Sequence, residues 1–241
     1  MHEPVTLWYV MLEKALIASA VGGLIWLDRY QVFQFMISRP IVGATVVGAI
    51  LGDLSAGIAS GVLFELLWLR RPPVGGFIAP DVTLASVATA AVSACVRSAT
   101  DLGLTAVVFV CFLFLLPVCF AGRKMDERLR LGLGKISRSA AKLQTDGRDA
   151  VVWLHIGAGL ALGFSLAFLL LAPVIYIGAV VLSRLAPLIP PILDRALSFG
   201  YFSVPLVGIA DLLLGLEDKE TIVLFALGFL VALGGALIIH S

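Results

Sequence analysis

Seven apolar stretches run through this chain, at residues 7–27, 40–69, 74–96, 102–121, 151–185, 201–216 and 221–239. Each approaches or exceeds the roughly 20 residues that a helix needs to cross a bilayer. Backbone surrounded by lipid must satisfy its own polar groups, which leaves only helices or closed barrels. Continuous apolar runs of this length select helices. Composition agrees, because 60% of the 241 residues are hydrophobic and the mean hydropathy is +1.06, whereas soluble domains hold about 45–50% apolar residues. The expectation is an all-α polytopic membrane protein, a single integral membrane domain over residues 1–241. It should carry about six to eight membrane segments, some of them broken or re-entrant. The first stretch contains Glu13 and Lys14 and lacks a small-residue cleavage site followed by polar sequence, so it reads as a retained helix and not a signal peptide.

The formal net charge of +1 is uninformative, but its distribution is not. Of 17 Lys and Arg residues, eight fall in the segment 122–150, namely Arg123, Lys124, Arg128, Arg130, Lys135, Arg138, Lys142 and Arg148. Excess cations mark cytoplasmic segments, which puts 122–150 in the cytoplasm. Its pattern LRLGLGKISRSAAKLQ is also amphipathic, suited to lying along the membrane or to docking a soluble partner through Arg128, Arg130, Lys135 and Arg138. A solvated basic loop that only sets topology is the plainer alternative.

Catalytic and metal signatures are missing. Cys95, Cys111 and Cys119 lack metal-ligand spacing and read as core-filling residues, while His2, His155 and His240 are scattered. No Walker-type loop, Ser-His-Asp pattern or HExxH motif occurs. The expectation is a chain with no metal, no cofactor and no nucleic-acid partner.

Attention therefore falls on residues 39–96, which hold Asp53, Glu65 and Asp81 inside nearly unbroken apolar sequence. A charge at the centre of a membrane helix costs about 2.5–3.5 kcal/mol on the mildest scale, so such groups line a substrate path, pair with a partner or sit at an interface. Gly48 and Gly52 form one pair of small residues four apart and Gly57 and Gly61 a second, the spacing that lets helices approach closely. Glu65 lies one turn beyond Gly61 on the same face, hence facing protein. Arg70, Arg71, Pro72, Pro73, Gly75 and Gly76 then interrupt any helix. Asp81 follows Pro80 and precedes a run of small residues, where it can cap the next helix or present a carboxylate to substrate. Carboxylates suit a sugar, since each accepts several hydroxyl hydrogens.

The run RPIVGATVVGAILGD, then Glu65, then Ala79-Pro80-Asp81 followed by TLAS resembles the IIC membrane subunit of the mannose-fructose-sorbose family of the bacterial phosphoenolpyruvate-dependent sugar phosphotransferase system. Trp153-Leu154-His155 is similar to a tryptophan-x-histidine of that family. The likeness spans roughly residues 20–240 and is strongest over 39–88. It implies an all-helical permease subunit of the bacterial inner membrane, moving a hexose-like sugar in an elevator-like motion. Such a subunit works in an oligomer with a IID membrane subunit and with soluble IIA and IIB proteins. Phosphate then reaches the sugar from IIB, and the IIC chain is neither catalytic nor a phosphocarrier. The substrate contacts expected here are Glu65, Asp81, Gly75, Gly76 and Gln34.

Two departures qualify the resemblance. Some mannose-type members have Gly-Trp-x-Asn where this chain has Arg70-Arg71-Pro72-Pro73, so an amide able to bind sugar hydroxyls is missing and mannose specificity does not follow. The segment LDRYQVFQFMIS before Arg39 aligns only loosely, although Asp28, Gln31 and Gln34 could still supply polar contacts. Two further readings stay open. One is an ion-coupled secondary transporter using Asp53, Glu65 and Asp81. The other is a non-transporting regulatory or scaffold protein that keeps the IIC fold.

Overall fold

A computed structural model of the chain describes residues 3–29, 31–68, 78–144, 149–214 and the single residue 223. Among them the secondary structure is entirely helical: α1 (Glu3–Leu27), α2 (Pro40–Ile50), α3 (Leu54–Leu67), α4 (Val82–Val96), α5 (Leu104–Leu115), α6 (Pro117–Gln144), α7 (Asp149–Leu185) and α8 (Asp194–Leu214), joined in places by short 3₁₀ turns. Among the described residues, four spans are long and apolar enough to cross a membrane, at Trp8–Leu27, Val82–Ala99, Trp153–Leu188 and Pro191–Leu214. A fifth is formed if α5 and the start of α6 are taken together across a 43° bend. That bend falls at Leu116-Pro117, where proline has no N–H to continue the ladder. The apolar stretch 221–239 lies outside the described residues, Val223 apart.

The stretch 40–69 is not one span but a hairpin of two short helices. Pro40 opens α2 at a position where a missing N–H costs nothing. Gly52, at φ +85°, ends it in the left-handed conformation that glycine adopts without a Cβ clash. Asp53 then caps α3 by accepting from the Ala56 N–H at 3.0 Å. The hairpin closes because glycine lets backbone meet backbone. A Cβ on Gly48 would stand 2.6 Å from the Gly57 Cα, and one on Gly61 would stand 2.8 Å from the Ile41 Cα. Gly48, Gly57 and Gly61 are thus the contact strip. Gly52, the other member of the first sequence pair, has no heavy atom near its missing Cβ and serves the turn instead.

Helix α4 is the axis of the fold. Every residue from Thr83 to Val96 is buried, and α1, α2, α3, α5, α6 and α7 all pack on it. Its many Ala, Ser and Thr residues allow that crowding, because small side chains keep neighbouring helices close where lipid provides no hydrophobic drive. The hairpin is also held from outside, by the Tyr201 hydroxyl of α8 donating to the Ala59 carbonyl of α3 at 2.9 Å.

Candidate functional site

Each of the three carboxylates picked out in the sequence sits at a helix N-terminus and faces an arginine. An N-terminus exposes unpaired N–H groups and the positive end of the helix dipole, so it draws anions. A carboxylate there still needs a counter-charge when lipid surrounds the protein.

Asp81 is the most enclosed, at 1% exposure. It caps α4 through the Leu84 N–H at 3.1 Å. Its other oxygen accepts from the Trp26 indole at 2.5 Å, and the Arg29 guanidinium lies 2.7 Å away as an ion pair. The Asp81 backbone N–H reaches the Cys119 carbonyl of α6 at 2.8 Å. Gly122 of α6 lies directly over the side chain, since a Cβ there would meet the Asp81 Cβ at 2.5 Å.

Glu65, near the end of α3, reaches back across the hairpin to the start of α2. One of its oxygens is 2.9 Å from the Arg39 guanidinium. The other takes the Ile41 N–H only loosely, at 3.5 Å. The carboxylate side chain is 14% exposed and the arginine 55%, so this pair lies at an accessible edge. Asp53, at the opposite end of the hairpin, binds the Arg97 guanidinium at 2.7 Å and the Ser55 hydroxyl at 2.7 Å. That contact ties the hairpin turn to the end of α4.

Between the Asp81 and Glu65 clusters runs the loop after α1. Buried Asp28 organises it by accepting the Phe35 N–H at 2.7 Å and the Ser38 N–H at 3.1 Å. Burial alone would raise the Asp28 carboxyl pKa, but these N–H groups outweigh it and hold the pKa below the usual carboxylate value. Phe33, Gln34 and Met36 all adopt positive φ, at 53°, 57° and 64°, a conformation that costs a residue with a Cβ about 1–3 kcal/mol. Gln34 is exposed on this loop. Its neighbours Phe33 and Phe35 stack with ring centroids 5.4 Å apart and stand mostly exposed.

The expected residues therefore divide. Glu65, Asp81 and Gln34 all lie toward the end of the molecule where α1 ends and α2 and α4 begin. Gly75 and Gly76, with the Arg70 to Pro73 break, lie outside the described residues. Of the basic residues, Arg128, Lys135 and Arg138 are exposed on α6, which runs as one helix to Gln144. Arg130 is engaged by Asp126 one turn away, at 3.2 Å. The sequence did not point to Arg29, Arg39, Arg97 and Trp26 as the carboxylates' partners. The only local signal was the position of Arg39 just before Pro40, where the first turn of a helix leaves N–H groups free.

Residues 6–239 match the family described as PTS system sorbose-specific IIC component. The chain is similar to the sorbose-specific EIIC component of Klebsiella pneumoniae, 29% identical over 82% of this chain and 71% of that protein. It is similar also to the mannose-specific EIIC component of Escherichia coli K12, 22% identical over 83% of this chain and 72% of that one. Among solved structures, one described as a membrane protein shares the fold, with a TM-score of 0.65 at 23% identity over 95% of this chain and 92% of the other.

Proposed function

The chain belongs to the family of PTS sorbose-specific IIC components, sugar-translocating membrane subunits, and from that premise we propose that its sugar is bound beside the Arg39–Glu65 pair. The observation that carries this reading is the loose second oxygen of Glu65, which holds one N–H at 3.5 Å and so keeps a lone pair for a hydroxyl donor. A carboxylate that accepts next to a guanidinium that donates can grip two neighbouring hydroxyls of a polyol. Gln34, on the strained loop that Asp28 organises, adds an amide able to both donate and accept. Gly75 and Gly76 would let the sugar approach the backbone. Asp81 acts with them, its buried ion pair fixing the start of α4 against the end of α1.

In this reading the subunit sits in the bacterial inner membrane in an oligomer with a IID subunit. It hands a hexose-like sugar to IIB, which is recharged by IIA. The exposed cations Arg128, Lys135 and Arg138, with Arg130, face the cytoplasm and attract IIB. No phosphorylated residue and no cofactor are expected on this chain. The ion-coupled alternative finds less support, because each of the three carboxylates already has an arginine as counter-charge. The test is uptake of radiolabelled sorbose, fructose and mannose in cells stripped of their own systems. Accumulation that requires co-expressed IID, IIA and IIB supports a phosphotransferase permease. Accumulation that persists without them and collapses with the ion gradient refutes it.

A further inference from the structure

Among the described residues, helix α1 is covered on one side only. It packs on α2, α4 and α7, and its inner face buries Met11, Ala15, Ala18 and Ile25. The opposite face presents Tyr9, Glu13, Leu16 and Leu24, whose spacing keeps them in one helical stripe, and all four are exposed. Three of them suit a membrane. The fourth is a carboxylate that, among the described residues, accepts no hydrogen bond and meets no cation.

Its depth makes that costly. The α1 span runs from Trp8 to Leu27, and the Arg184 guanidinium lies 4.8 Å over the Trp8 ring, a pairing of residue types that belongs to the membrane interface. Glu13 stands five residues further in, hence about 7–8 Å below that layer, a gap longer than its side chain. Protonation would remove the charge yet leave a carboxyl without partners in hydrocarbon. Carboxylates within membrane spans are rare, and they pair with a cation or a donor. This chain's own spans supply none. Lys14 follows Glu13 but is half-buried, on the flank it shares with Met11 and Ala18, three and four residues away. The apolar stretch 221–239 contains no Lys or Arg. A second copy offering the same face would set Glu13 against Glu13.

We propose that the outward face of α1 docks a transmembrane helix of a different subunit, one that carries a Lys or Arg at the depth of Glu13, with Tyr9, Leu16 and Leu24 packing beside the ion pair. The proposal rests on the reading that this subunit assembles with IID, which supplies that helix. Shielded from water, the pair sets which helix binds and in which register, because a helix without the cation leaves Glu13 unpaired.

The test uses the full chain co-expressed and purified with IID in a mild detergent. Benzoylphenylalanine in place of Tyr9 or Leu16 should cross-link on illumination to an IID peptide that has a Lys or Arg within about two helical turns of the attachment point. Glu13→Leu makes the span more apolar and should insert in the membrane at the parent's level, yet raise the Kd for IID at least about tenfold. Glu13→Lys should weaken binding further, and changing the IID cation to Glu in the same complex should restore it. Four results overturn the surface while the assembly stands: cross-links to lipid alone, cross-links to a second copy of this chain, cross-links to an IID segment without a basic residue, or equal IID binding by parent and Glu13→Leu. A parent that binds no IID overturns the oligomer reading, and the surface with it.

Discussion

Arg39 and Glu65 meet at 2.9 Å across the α2–α3 hairpin, joining the residue before the first turn of α2 to the last turns of α3. The contact closes the open end of the hairpin, as Asp53 and Arg97 fix its turn. The two ends differ in what they leave free. Asp53 is saturated by Arg97, Ser55 and the Ala56 N–H, whereas Glu65 has one oxygen loosely held. That asymmetry makes the Glu65 end the better place for a polar substrate.

Glu65→Gln keeps the side chain's size and removes its charge. Charge-assisted hydrogen bonds are about twice as strong as neutral ones, so the loss should be about 1–1.5 kcal/mol, or roughly tenfold in sugar affinity. Arg39→Gln should do the same, and the double variant should lose less than the sum, because the two residues form one pair. Equilibrium binding of labelled sugar to membranes with matched protein levels measures this. Unchanged affinity in both single variants would reduce the pair to a clasp for the hairpin.

At Asp81 the expectation is a loss of stability. Asn caps helices about as well as Asp and can still accept from Trp26, but it cannot neutralise Arg29, whose side chain is 12% exposed. An uncompensated buried charge costs about 3–5 kcal/mol. Asp81→Asn should therefore lower the unfolding midpoint in detergent sharply, and adding Arg29→Gln should recover much of the loss. A single variant as stable as the parent would leave Asp81 only its capping role, and its transport activity would then decide whether it touches sugar.

These pairings mark the boundary of what the sequence could tell. The apolar runs gave helices because lipid permits little else, and Gly57, Gly61 and Glu65 fell on one face because spacing of four on a helix guarantees it. Asp81 as a cap was visible for a similar local reason, a carboxylate just ahead of an apolar run. The hairpin turn was present in Gly52-Asp53, yet spacing alone made Gly52 look like a packing residue. Only its positive φ distinguishes the two roles. The arginine partners were hidden because Arg29 and Arg97 lie far along the chain from the carboxylates they meet, and nothing local records a contact that packing creates.

The two kinds of glycine should separate experimentally. A Cβ on Gly57 would lie 2.6 Å from the Ala44 carbonyl oxygen and 3.0 Å from the Gly48 Cα, and backbone cannot move aside as a side chain can. Gly57→Ala should thus cost about 1–3 kcal/mol, the range for overpacking. Asn at position 52 would meet nothing within 4 Å and tolerates the left-handed conformation better than other residues, so Gly52→Asn should cost about 1 kcal/mol, the low end for a residue with a Cβ at positive φ. Equal shifts in denaturation midpoint for the two variants would count against the close approach of α2 and α3.

The last expectation concerns the exposed cations of α6. Steering by surface charge is screened over a Debye length of about 8 Å at physiological salt. Changing Arg128, Lys135 and Arg138 together to Gln should therefore slow sugar phosphorylation several-fold at low IIB concentration and low salt, and the defect should shrink as either is raised. Arg130 belongs in a separate variant. It pairs with Asp126, whose side chain is only 5% exposed, so its removal disturbs the helix as well as the surface. Loss of positive charge can also reorient neighbouring spans, which makes topology part of the same experiment. Cysteines placed at Ser137 and Ser139 should label from the cytoplasmic side in parent and triple variant alike. If the parent labels from outside, or if a correctly oriented triple variant reacts with IIB as fast as the parent at low salt, the basic face has no part in recruiting that partner.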